Sequence, residues 1–91
     1  MVYTLIKISQ EQSRYGGFCY LLVFKNNEGR SFKSWLYPKL NNFKKWKEIL
    51  QFGEGSEISN LKLKSPNIID ADSRPVFIRK VERYTNQGLL F

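Results

Sequence analysis

A mainly β fold with one helix is predicted by three features of this sequence. Short runs rich in β-branched and aromatic residues recur between Gly, Asn and Pro punctuation. A single segment, residues 42–52 (NFKKWKEILQF), carries helical spacing. The length, 91 residues with 42% hydrophobic content, suits one domain with a modest core. The order that results is strand, strand, strand, helix, strand, strand.

Residues 2–9 (VYTLIKIS) read as strand one, with Ile6 and Ile8 on one face and Tyr3, Leu5 and Lys7 on the other. Residues 10–16 are polar and end at Gly16-Gly17, so they read as a loop. Strands two and three follow within residues 17–37. Pro38 stops strand three because it has no N–H to give to a ladder. In the helix, Asn41 or Asn42 serves as N-cap and Gly53 follows the last turn. Phe43, Trp46, Ile49 and Leu50 make its apolar face, which predicts a buried Trp46. Lys44, Lys45, Lys47 and Glu48 make its solvated face. Residues 57–64 (EISNLKLK) read as strand four. Ile58 and Leu61 are out of phase there, so a bulge or a fresh start is expected near Ser59-Asn60. Residues 65–74 read as a turn-rich loop and residues 75–82 as strand five. The domain is expected over 1–83, with a tail at 84–91.

The hairpin in residues 17–37 (GFCYLLVFKNNEGRSFKSWLY) is the most informative segment. Its turn is either Asn27-Glu28 or a four-residue loop from Asn26 to Gly29, and both options pair Lys25 with Arg30. Phe24 then faces Ser31, Leu22 faces Lys33, Tyr20 faces Trp35 and Phe18 faces Tyr37. Opposed residues share a side of an antiparallel pair. One side would carry Phe18, Tyr20, Leu22, Phe24, Lys33, Trp35 and Tyr37. The other would carry Cys19, Leu21, Val23, Phe32, Ser34 and Leu36. The second set is an aliphatic core face; the first has the composition of a base-stacking platform.

Composition narrows the function. The formal charge is +7, from 15 Lys and Arg against 8 Asp and Glu, which favours a polyanionic partner, nucleic acid first. Aromatic content of 15% exceeds what a single core needs. There is no histidine, which removes the commonest general base and the usual Ser-His or Cys-His nucleophile pairs. The one cysteine, Cys19, excludes an internal disulfide and a zinc cluster. Asp70 and Asp72 are a lone carboxylate pair and read as turn formers rather than a metal site. No phosphate-binding glycine motif, signal-peptide pattern or membrane-length apolar run is seen. The expectation is a cytoplasmic, non-enzymatic protein that needs no cofactor and has no membrane association.

This order of elements, with a helix between the third and fourth strands, resembles the OB-fold, a five-stranded Greek-key barrel, over residues 2–82. The resemblance extends to single-stranded DNA-binding proteins of that fold, which hold their ligand across strands two and three and the loops beside them. It implies a nucleic-acid surface built from Phe18, Tyr20, Phe24, Lys33, Trp35 and Tyr37. Arg14 and Tyr15 would lie in one flanking loop, and Lys64, Asn67 and Arg74 in or beside the other. Lys25, Arg30, Lys62 and Arg79 are further cations for phosphate. The implied activity is binding of single-stranded nucleic acid, DNA favoured over RNA, with little sequence preference, in replication, recombination or repair. Bacterial members of this class end in an acidic run and a terminal Phe. Here the last residues, TNQGLLF, keep the Phe without the acids.

A second class of function fits the same residues. Aromatic cross-strand pairs such as Tyr20–Trp35 stabilise sheets without a ligand. The aromatic face and Leu89-Leu90-Phe91 would then dock a helicase, a polymerase or a second copy of the chain.

Overall fold

Seven strands and one helix form along the chain: β1 (Tyr3–Gln12), β2 (Phe18–Lys25), β3 (Ser31–Leu36), α1 (Phe43–Phe52), β4 (Ser56–Ser59), β5 (Leu63–Ser65), β6 (Ile68–Ile69) and β7 (Val76–Lys80). The structure is a computed structural model that describes residues 1–14 and 16–81. Tyr15 and the tail expected at 84–91, with Leu89, Leu90 and Phe91, lie outside the described residues. The strands form one mixed sheet in the order β5-β6-β3-β2-β1-β4-β7, antiparallel throughout except for β3 beside β6. The sheet curls like a half-barrel. Ile58 of β4 and Ile69 of β6 are separated by β1, β2 and β3 in that order, yet both belong to one buried cluster.

Five expected strands become seven because the last two are interrupted. The run expected at 57–64 breaks at Asn60, which takes φ 65°, a left-handed conformation that few residues besides Gly and Asn adopt readily. The irregularity foreseen near Ser59-Asn60 is therefore a full break between β4 and β5. The loop expected at 65–74 holds a short strand of its own, β6, and residues 70–75 then separate it from β7. Both β4·β7 and β5·β6 are antiparallel, so residues 56–80 form one long hairpin with a gap in the middle. One backbone bond, from the Asp70 N–H to the Lys62 carbonyl at 2.8 Å, and two side chains stitch the gap. The Lys62 N–H donates to the Ser73 hydroxyl at 2.8 Å, and the Asn60 amide donates to the Arg74 carbonyl at 2.8 Å.

β1 runs to Gln12, into the segment expected as a loop. A register shift between Leu5 and Lys7 bends it and changes its inward phase. Tyr3 and Leu5 point into the core before the shift and Ile8 packs there after it. Ile6 and Ile8 therefore do not share a face, as a regular strand would have required. β1 pairs with β2 from Thr4 to Gln12, on both sides of the bend, and its first residues, Tyr3 and Thr4, also pair with β4 on the other edge.

Helix α1 fills the curl. Trp46 and Ile49 are its buried residues, and Phe43 and Leu50 pack against the core, so the expected apolar face is the one used. Burying each such side chain contributes about 1.5–3 kcal/mol. Asn42 occupies the N-cap without a side-chain cap bond. Its amide instead donates to the carbonyls of Ala71 and Ser73. The Trp46 indole N–H donates to the Ala71 carbonyl at 3.0 Å. The helix thus holds the 70–73 loop in place. Gly53 ends the helix at φ 82°, its N–H on the Ile49 carbonyl.

Candidate nucleic-acid interface

The turn between β2 and β3 decides which side chains face outward. Asn26 closes it: its carbonyl accepts from the Gly29 N–H, and its side-chain oxygen accepts from the N–H groups of Glu28 and Arg30, both at 3.0 Å. The Asn26 N–H in turn donates to the Arg30 carbonyl. Residues 27–29 are the loop, with Gly29 at φ 80°, the left-handed position such loops require. Lys25 therefore lies opposite Ser31, not Arg30, and the pairs that follow are Phe24↔Phe32, Leu22↔Ser34, Leu21↔Trp35 and Tyr20↔Leu36. A slip of one residue reverses the faces of one strand relative to the other.

That slip corrects half of the expected platform. On β3 the assignment holds: Phe32, Ser34 and Leu36 are buried, while Lys33 and Trp35 are exposed. On β2 it is inverted. Phe24 is fully buried, edge-on to Trp46 with ring centroids 6.4 Å apart, so it offers no ring to a ligand. Leu22 is likewise interior. Tyr20 is half-buried and packs on the core, its ring stacked over Phe43 at 6.3 Å. Phe18 is exposed and sits edge-on to Tyr20, at the start of β2. Leu21 and Val23, expected in the core, lie instead beside Trp35 and Lys33 on the outer face, half-buried. Cys19 is buried as expected, but on the outward phase of β2, next to Trp35 and Tyr37.

The outer face therefore has a definite layout. Rows cross β1, β2 and β3: Lys7, Val23 and Lys33 in one; Ser9, Leu21 and Trp35 in the next. Sequence reasoning missed Lys7, Ser9, Leu21 and Val23. The signal that would have found them is Asn26 followed at the third position by Gly29, which favours a loop of odd length.

Trp35 and Tyr37 stand between two grooves. One, of about 880 Å³, is lined by Glu11, Gln12, Ser13, Arg14 and Cys19 together with both rings. The other, of about 340 Å³, is lined by both rings with Lys64, Ile68, Asp70 and Asp72 among its walls. Trp35 is 38% exposed, and Tyr37 is half-buried. Arg14 and Lys64 thus come to the platform from opposite sides, as the flanking loops were expected to do. Asp70 and Asp72 bring negative charge to the second groove. Asp70 also shapes the wall, its carboxylate accepting the Asp72 N–H at 2.9 Å.

Other expected cations are elsewhere. Arg30 is engaged with the hairpin loop opposite: its guanidinium donates to the Asn67 side chain and the Pro66 carbonyl, and lies over the Phe32 ring at 5.3 Å. The Asn67 carbonyl accepts the Lys33 N–H, which fixes β6 against β3. Lys62 is exposed at the gap between β4 and β5, Arg74 is exposed beyond it, and Lys25 is half-buried beside the turn. Arg79 is on β7, at the far end of the strand order from the platform, and pairs with Glu57 at 2.7 Å. That carboxylate, through its hydrogen bond first and its charge second, raises the Arg79 pKa above its ordinary value.

Among the described residues no group of three or more His, Cys, Asp or Glu is placed to hold a metal ion, and no helix is long and apolar enough to cross a membrane. The arrangement offers an outward indole beside Leu21, with Lys33 on the same strand face and a groove on each side that holds Arg14 or Lys64. Chemically it can stack a planar group and hold an anion beside it. No family model, curated protein or solved structure matches the chain.

Proposed function

We propose that this protein is a non-enzymatic OB-fold module that binds single-stranded nucleic acid, DNA in preference to RNA, with little sequence specificity. The observation that carries the reading is Trp35, facing outward beside Lys33 between two open grooves. Every base has a π-face, so an exposed indole binds bases without regard to identity, each stacked base being worth about 1–3 kcal/mol. Lys33, Arg14, Lys64 and Lys7 supply charge for the phosphates. The overall charge of +7 steers a polyanion toward the chain.

Strand connectivity supports the fold half of the proposal. Taking β4 with β5, and β6 with β7, as two interrupted strands leaves five. Their neighbours then run one, two, three, five, four and back to one, with three and five parallel. That cycle is the one an OB-fold barrel uses, and the helix stands at the expected place between strands three and four. The revised register narrows the surface to Trp35 and Tyr37 with Leu21 and Val23, with Phe18 at its border.

Titration with oligo(dT) tests the reading. Quenching of Trp35 fluorescence is expected, with affinity falling as salt rises by about 0.7 log units per log unit of salt for each phosphate neutralised. A chain with no oligonucleotide response at low salt would be incompatible with it. A second reading, a protein-interaction or oligomerisation subunit of a nucleic-acid-processing complex, is favoured by a different observation. β7 pairs with β4 alone among the described strands, and its Val76 and Ile78 are 50% and 46% exposed. Mass that rises with concentration, without response to oligonucleotides, would select it.

A further inference from the structure

We infer that the bound strand leaves the Trp35 platform over helix α1, where Lys44 and Lys47 hold its phosphates. This rests on the single-strand reading and extends it to lysines that the sequence reads first as a solvated face. The 340 Å³ groove beside Trp35 and Tyr37 includes Leu40 in its wall. Leu40 is also in the wall of a further groove of about 650 Å³, with Pro38, Phe43, Lys44, Lys47 and Glu48. The two depressions therefore share Leu40 as a common wall, in the segment between β3 and α1. A third, smaller one joins Tyr37 to Pro38 and Lys39 from the other side, next to Phe18. The route inferred for an extended chain stacked on Trp35 runs past Leu40 onto the helix.

Charge complementarity identifies the occupant. Lys44 and Lys47 are exposed on the helical groove, with Glu48 the single acid among its lining residues, and exposed Lys39 lines the smaller depression. Lys44 and Lys47 are three residues apart and so stand on one face, one turn from each other. Asp70 and Asp72 wall the 340 Å³ groove on the side of the 70–73 loop. They repel phosphate there and favour an exit toward the lysines. Half-buried Phe43, stacked under Tyr20, gives the helical groove an apolar floor that a sugar or base can rest on. The lysines are solvent-exposed and make no part of the core, so their substitution leaves the fold intact.

The test is length dependence. An OB-type groove spans roughly 4–16 nucleotides, so a tetranucleotide fills the platform alone while a strand of about sixteen reaches the helix. In the double variant Lys44→Ala/Lys47→Ala, affinity for oligo(dT) of about sixteen residues is expected to fall roughly tenfold at 0.15 M salt. The salt slope should become shallower by about 1.4, for two phosphates no longer neutralised. Affinity for the tetranucleotide should be unchanged. Equal affinity of the variant and the parent for the long strand overturns the route over α1 while leaving the platform standing, and so does an equal loss at both lengths. Failure of the parent chain to bind either oligonucleotide overturns both.

Discussion

Two tryptophans, eleven residues apart in the chain, show what the same side chain does in two settings. Trp46 is fully buried, edge-on to Phe24, and its N–H is bound to the Ala71 carbonyl. Trp35 stands on the outside of β3 with over a third of its surface open. The interior ring holds the 70–73 loop, and that loop in turn walls the groove beside the outward ring. One aromatic builds the frame and the other uses it. Aromatic content alone therefore does not report which rings face outward; the phase of the strand does.

The largest expected effect separates the two roles. Trp46→Ala should cost about 3–5 kcal/mol of stability, read as a lower denaturation midpoint, because it opens a cavity and also removes one of the two bonds to the Ala71 carbonyl. A loss below about 1 kcal/mol would show that the ring is not the keystone of the interior. Next comes Trp35→Ala, expected to lower oligo(dT) affinity roughly ten- to hundredfold while stability shifts by about 1 kcal/mol or less. Unchanged affinity in a folded variant would erase the distinction between the rings. Gly29→Ala sharpens the account of strand phase. An added Cβ meets open space there, so the cost comes from the positive φ alone and should be about 1 kcal/mol in thermal or chemical melts. A neutral outcome would mean that the loop does not hold the left-handed conformation. The smallest effect has the opposite sign. The Ser34 hydroxyl is buried on the inner face of β3 without a hydrogen-bond partner, so Ser34→Ala should raise stability by up to about 1 kcal/mol.

Much of the architecture was legible. Helix α1 was given by the spacing of Phe43, Trp46, Ile49 and Leu50, and no competing pattern exists in that segment. On β3, Lys33 alternating with Phe32 and Ser34 fixed the inward face, and Trp35 kept its outward place. β2 could not be phased in this way. Its residues Phe18 to Phe24 are apolar on both sides, so either face satisfies a core, and the decision passed to the turn. Reading the turn as even in length put Phe24 and Tyr20 on the wrong side. The division of the last two strands was also hidden, because it depends on a left-handed Asn60 and on bonds from Asn42 and Trp46 to a distant loop. Spacing within a segment does not encode such long-range ties.

The seam at Ser73 has a consequence for how this molecule can be altered. A hydroxyl, not a neighbouring backbone carbonyl, receives the Lys62 amide, while the Lys62 carbonyl accepts the Asp70 N–H at 2.8 Å. Extra residues placed at exposed Asp72 would interrupt no strand, though they would open the turn that Asp70 closes on the N–H groups of Asp72 and Ser73, and the entropy of a longer excursion grows only slowly with its length. Under the single-strand reading proposed above, this rim of the groove beside the outward indole is a graft point for side chains that would add a taste for one sequence over another.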